Sequence, residues 1–241
     1  MAVPMIPPIV VRRNCSQTQY SRSPFLNVGD GLQESTADAF GAEQIQSESR
    51  KIVVYELRSM MEHNLSHTIS LLTRTPAALN ALLRDLPEMW TLRTEGENTW
   101  SALDVVGHLI HGERTDWMPR TRMVLQFGET KAFEPFDRWG QERESEGKSL
   151  GRLLDEFARL RSENLSDLRA LNLRQEDLGR LGRHPSFGVV TLSELLATWA
   201  AHDLTHLHQI SRIMANQYRA AVGPWSAYLG VLQCTGHSSP Q

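Results

Sequence analysis

Cysteine is scarce in this 241-residue chain: Cys15 and Cys234 stand near opposite ends, and neither belongs to a CxxC pair. That excludes a disulfide framework and a cysteine-built zinc site, and makes a reducing, cytoplasmic setting the expectation. No apolar run approaches the roughly 18 residues of a membrane span, so no membrane partner is expected. Positive charge is not in excess: 25 Lys and Arg face 28 Asp and Glu, for a net charge of -3. A general nucleic-acid binder would carry a basic patch or stripe, so no nucleic-acid partner is expected either. The apolar start, Met1 to Val11, holds Pro4, Pro7 and Pro8, and Arg12-Arg13 follow it rather than precede it, unlike a secretory signal. Phosphate loops, dinucleotide fingerprints, internal repeats and a convincing strand series are all missing.

Helical signals fill most of the remainder. Residues 1–60 have turn-rich composition without a sustained helical period and read as a poorly ordered extension; residues 61–235 read as the domain. Thr75-Pro76 reads as an N-cap with proline in the first turn. Ala78, Leu79, Leu82, Leu83 and Leu86 follow at helical spacing, Pro87 stops the run, and an earlier start near Ser66 would put a kink at Pro76. Ser101 with Asp104 resembles a capping box and opens a second helix through Val105, Val106, Leu109, Ile110 and Trp117 to Phe127, with Pro119 as a kink point. Gly128 to Gly147 is a polar connection carrying Phe133, Pro135, Phe136 and Trp139. It reads either as a cover for one end of a bundle or as a plain crossover. Leu150, Leu153, Leu154, Phe157, Leu160, Leu165, Leu168 and Leu171 mark one face of a third helix whose other face is charged and solvated. Arg183-His184-Pro185 with Gly188 forms a turn. Thr191 or Ser193 then caps a fourth helix that runs to Tyr218, and Pro224, Trp225, Tyr228 and Leu229 read as a tail docking on the bundle. Four amphipathic helices make an all-α four-helix bundle the expected fold.

The fourth helix carries the chemistry. His202 and His206 stand four apart, about 40° from each other around the helix axis. Leu195, Trp199, Ile210 and Ile213 share their arc, so both imidazoles lie in the apolar stripe. A buried polar group without a partner costs roughly 1–3 kcal/mol. One ion answers both rings, because histidines at i and i+4 converge on a common point, and zinc, nickel and ferrous iron all suit imidazole nitrogen. Core histidines bonded to carbonyls or carboxylates answer the same need, and HxxxH alone does not choose between the two. His108 flanks Val105 on the second helix, and taken alone it reads as structural rather than ligating. Asp203 points about 100° away from His202 and suits an arginine on another helix; His208 falls off the site, and His184 reads as a loop feature.

Two segments together carry a resemblance. Asn98-Thr99-Trp100-Ser101 with Val106-Gly107-His108-Leu109-Ile110-His111-Gly112-Glu113-Arg114-Thr115-Asp116-Trp117 resembles the second helix of the DinB-like superfamily, and Trp199-Ala200-Ala201-His202-Asp203-Leu204-Thr205-His206 resembles its fourth. Gly182-Arg183-His184-Pro185 and Val222-Gly223-Pro224-Trp225 are similar to further parts of that group, so the resemblance spans residues 66–232. It implies a four-helix bundle with a mononuclear three-histidine site, whose ligands by position are His108, His202 and His206. The extension over residues 1–60 departs from the family pattern. His111, one turn from His108, is a candidate to support that ring. The resemblance also implies a small-molecule substrate and a divalent metal (zinc, nickel or ferrous iron). Related bacillithiol transferases and a mycothiol-dependent isomerase point to a thiol S-transferase with a low-molecular-weight thiol as co-substrate. Amide or ester hydrolysis, and a non-enzymatic metal- or ligand-binding stress protein, are the alternatives. No protein base comparable to the Glu of HExxH is visible. A homodimer is expected from the family's habit of pairing, with Trp225 or Tyr228 available for an interface.

Overall fold

The computed structural model describes residues 63–137 and 139–234. The chain divides after Met60 into two units, and the described residues belong to the second, Met61–Gln241. The extension expected over residues 1–60 lies outside the described residues.

Four helical rods form the bundle, and two of them are broken. The first rod is α1 (Leu65–Leu72) followed by α2 (Thr75–Leu83). Asn64 caps α1 by accepting from the amides of Ser66 and His67. Thr75 is not the cap the sequence suggested. It is the first residue of α2, and its hydroxyl donates to Asp203 Oδ2 at 2.5 Å. The helix also ends before Pro87, at Leu83, and Asp85 takes a left-handed conformation (φ 62°) beyond it.

The second rod is α3 (Ala102–Thr115) with α4 (Trp117–Phe127). The Ser101–Asp104 capping box is present in both directions. The break falls at Asp116 (φ −109°, ψ −71°), three residues before the proline that causes it. Pro119 has no N–H for the carbonyl of Thr115, and its ring would clash with that carbonyl, so the chain leaves the helix at the preceding turn.

A short helix absent from the sequence reading, α5 (Gly140–Ser145), lies against α3. Gly107 and Gly140 permit the approach: a Cβ on the first would collide with Ser145 and one on the second with the His111 ring. Thus the connection from Gly128 is more than a crossover. It also buries Phe133, whose amide donates to the carbonyl of Arg183.

The third rod is α6 (Leu150–Ala170), capped by Ser149. A two-stranded antiparallel hairpin follows, β1 (Leu181–His184) and β2 (Gly188–Thr191), in register from Leu181 opposite Thr191 to His184 opposite Gly188. No strand signal marks these residues, because four-residue strands are too short to show an alternation. Gly188 turns the hairpin with φ 74°. Thr191 closes β2 and at once caps the fourth rod, α7 (Leu192–Asn216), through a capping box with Glu194. At the end of the described chain Leu232 docks, whereas Trp225 and Tyr228 stand exposed.

Two apolar clusters fill the bundle. Trp117, Leu165, Leu196 and Trp199 belong to one; Val106, Ile110, Phe157, Ile210 and Ile213 belong to the other. Arg161 joins them, its guanidinium lying over Phe157 (4.9 Å) and Trp199 (5.2 Å). By composition it belongs with the charges of α6, yet it is 1 % exposed. Its nitrogens donate to Glu113 of α3 (2.7 and 3.0 Å), to Asp203 of α7 (2.6 and 2.9 Å) and to the carbonyl of Leu72 at the end of α1 (2.9 Å). Trp199 Nε1 and Asn164 Nδ2 complete the coordination of Glu113. Burial opposes the charge on Arg161, but Glu113 and Asp203 outweigh it and hold its pKa above the ordinary value.

Removing one partner of such a group strands the other charges in the core. Arg161→Met should therefore cost about 3–5 kcal/mol in a urea unfolding experiment. Arg159→Met, which removes only the exposed pair with Glu163 on the same helix, should stay close to the parent protein.

Candidate metal centre

The break at Asp116 and the uninterrupted α7 bring three rings together at one level of the bundle. His108 comes from the middle of α3, and His202 and His206 come from consecutive turns of α7. Their Nε2 atoms face each other: His108 to His202 is 3.1 Å and His206 to His202 is 3.1 Å. Among the described residues this is the trio of side chains whose donor atoms, all within 4.8 Å of one another, could hold an ion. The edge of a tetrahedron of Zn–N bonds is about 3.3 Å, from bonds of 2.0–2.1 Å, so the spacing fits.

The protonation states fit as well. Burial is the largest influence on His108, and repulsion from His206 and His111 adds to it, so its pKa is lowered to about 3. His202 is pushed well below the ordinary value by burial, then by His206, His108 and Arg161. Both rings are therefore neutral at pH 7 and offer lone pairs. In His206 the tautomer is fixed. Buried Gln209, one turn further on α7, places Oε1 2.8 Å from Nδ1, so Nδ1 carries the proton and Nε2 presents its lone pair to the centre. Nδ1 of His108 and of His202 are buried without a hydrogen bond.

Aromatic contacts set the ring planes. Trp100 packs on His108 (4.8 Å between centroids) and stacks on His206 (6.3 Å). Trp117 meets His202 edge-on at 5.1 Å and itself stacks on Trp199, 8° from parallel. Trp199 is anchored by its bond to Glu113, so the buried Arg161 group reaches His202 through two indoles.

A cavity of about 290 Å³ opens beside the centre, and His108 and His202 form part of its wall. Trp117, Phe133, Phe136, Phe187, Val190 and Leu195 make most of the rest, with Asp116, Arg120, His184 and Glu194 as polar members. Trp117 and Phe133 come from the second rod and the connection, Phe187 and Val190 from the hairpin, so the cavity is a product of packing between elements. His184 is not the plain loop feature expected: it ends β1, stacks on Phe187 at 4.4 Å and lines this cavity. His111 is buried, but its ring meets Phe136 and approaches Glu144 (3.9 Å), and no hydrogen bond joins it to His108. Asp203 takes the arginine role foreseen for it, His208 is exposed, and His237 lies outside the described residues.

Fold and site together define a helical bundle with a three-histidine cluster, and the comparisons agree on the fold. The sequence profile of the DinB superfamily matches residues 71–210, and the chain belongs to that superfamily. Among solved structures the chain is similar to YfiT from Bacillus subtilis, described as a probable metal-dependent hydrolase with an unusual four-helix bundle topology. The TM-score is 0.56 at 21% identity, over 66% of this chain and 89% of that one. A search among curated proteins finds no match.

Two outcomes are expected here. Gln209→Leu removes the acceptor that orients His206, and should weaken zinc affinity about 10–100-fold in a chelator competition. In the metal-free protein, His108 holds a proton in the unfolded chain from pH 6.5 downward but in the folded chain only near pH 3. Stability must then fall as pH falls through that window, and His108→Leu should flatten the slope in urea unfolding measured across it.

Proposed function

We propose that this protein is a metal-dependent enzyme in which His108, His202 and His206 hold a divalent ion and a small thiol attacks an electrophile lodged in the adjoining cavity, making it a thiol S-transferase. The observation that carries this reading is the convergence of three imidazole nitrogens at the wall of an apolar cavity. A closed structural site needs four protein ligands; three histidines are the donor set of a catalytic one. A divalent ion bound there supplies Lewis acidity and lowers the pKa of a coordinating thiol or water.

The residues of the chain supply the rest. The aromatic wall formed by Trp117, Phe133 and Phe136 takes up the carbon skeleton of the electrophile and keeps bulk water off it, which favours a thiol over water. The cavity volume suits a small substrate, at the lower end of ligand pockets. Gln209 and Trp100 hold the donor rings in place. The reaction is R–SH + R′–X → R–S–R′ + HX, in which an S–C bond replaces a C–X bond. A second reading, hydrolysis of an ester or amide, is favoured by the description of YfiT and by the carboxylate of Asp116 in the same wall. The sequence showed no protein base, and Asp116 supplies a candidate.

The test is elemental analysis followed by two assays. The purified protein should carry about one divalent ion per chain, and His202→Ala and His206→Ala should lose it while keeping their helical circular dichroism. The loaded protein should accelerate conjugation of 2-mercaptoethanol with 1-chloro-2,4-dinitrobenzene more than it accelerates thiol-free hydrolysis of p-nitrophenyl acetate. The reverse ranking would favour the hydrolase reading, and metal retained in both variants would refute the ligand set.

A further inference from the structure

We infer that Asp116 is the group that takes the proton from the incoming thiol and returns it to the leaving group. This rests on the proposed thiol reaction. Each of the three histidines turns its Nε2 to the centre, so none has a lone pair left over for a proton in the cavity.

The other ionisable groups in the wall are three besides Asp116 itself. Arg120, on α4, has no acceptor to offer. Glu194, on α7, is occupied by the amide and hydroxyl of Thr191 (2.7 and 2.9 Å), which lower its pKa and make it a poor base. His184, on β1, accepts at Nδ1 from the amides of Ser186 and Phe187, and burial and Arg120 lower its pKa.

Asp116 is differently placed. It stands at the break between α3 and α4, in the N-cap position of α4, yet its side chain makes no capping hydrogen bond. The carboxylate is therefore not used to hold the helix. Arg120 Nε lies 2.5 Å from Oδ1, an ion-pair contact outside hydrogen-bond geometry, so Oδ1 is buried without a hydrogen-bond partner in a wall shared with His108 and His202. Burial raises its pKa to about 6, against the pull of Arg120. At neutral pH it is thus an ionised carboxylate with more than ordinary basicity, which is what a proton acceptor needs.

The sequence of bonds is balanced. The S–H bond of the thiol breaks and an O–H bond forms on Asp116. The sulfur then forms a bond to the electrophilic carbon, the C–X bond breaks, and the departing group takes the proton from Asp116. The carboxylate is regenerated, and Arg120 stabilises it.

The experiment follows thiol capture directly. Wild type, Asp116→Asn and Asp116→Glu are loaded with cobalt(II), shown to hold equal metal with equal helicity, and mixed with 2-mercaptoethanol in a stopped-flow instrument. The sulfur-to-cobalt absorption reports the deprotonated thiol. Asp116→Asn should form it at least about 10-fold more slowly at pH 7, with Asp116→Glu recovering part of the loss. In the wild type the rate should rise with pH through one ionisation, a step that Asp116→Asn lacks. The carboxyl carbon resonance of Asp116 in the metal-free protein should titrate well above 4. Equal rates and pH profiles in wild type and Asp116→Asn, or an ordinary carboxyl midpoint, would overturn the inference and leave the thiol reading standing. No sulfur-to-cobalt band in any form would overturn the thiol reading, and this inference with it.

Discussion

The interaction on which the rest depends is the buried contact of one arginine with two carboxylates. Arg161 on α6 holds Glu113 on α3 and Asp203 on α7, and it also takes the last carbonyl turn of α1 through Leu72. Thr75 adds α2 by way of Asp203. Every rod of the bundle thus has a direct bond to one small polar group. Hydrophobic contact between helices is tolerant of sliding, because it depends on area and not on direction. Bidentate charge-assisted bonds are not tolerant of it. This group therefore fixes the height of α3 against α7, and with it the height of His108 against His202 and His206. Asp203 follows His202 directly, and Glu113 holds the indole of Trp199 that supports the one beside His202.

Above that anchor the chain maintains a site with competing demands. The imidazoles must be neutral to act as donors, and for His108 and His202 burial secures this by penalising their charged forms. The same low polarity raises the pKa of Asp116, so one environment acts on the imidazoles and on a carboxylate of the cavity wall. The walls of the cavity are mostly apolar, with Asp116, Arg120, His184 and Glu194 among its polar members. The break at Asp116 belongs to this arrangement. A continuous second helix would carry its side chains around the rod in regular order. The kink set by Pro119 leaves the Asp116 carboxylate without a capping bond and among the residues of the cavity wall.

Much of this was legible beforehand. The capping box at Ser101, a cap at Thr191 or Ser193, the Leu-rich face of α6 and the stripe of α7 are local signals, determined by residues three and four apart. The histidines belonged to the same pattern, since polar residues in an apolar stripe require a partner. Less legible are the charges that do not reach solvent. Arg161 sits four residues from Phe157 and four from Leu165, squarely within the apolar face, and Glu113 stands three after Ile110. Both are as anomalous as His202, but long charged side chains are normally taken to reach water. Asp116 and His184 offered no comparable signal. Neither lies in a stripe, and their importance comes from neighbours far away in sequence.

The sequence by itself thus determined four rods, the caps of the second and fourth, most of the buried faces and the two histidines of α7, because helix formation and amphipathicity are short-range properties of the chain. The resemblance had set His108 beside them, but only the tertiary structure brings its Nε2 within 3.1 Å of His202, lets Phe133, Phe136 and the β1–β2 hairpin close a cavity at their side, and puts Asp116 and Arg120 in its wall. The physical reason is that a binding site consists of distances between elements. Those distances are set by packing and by a few directed bonds across the core, and no local pattern encodes them.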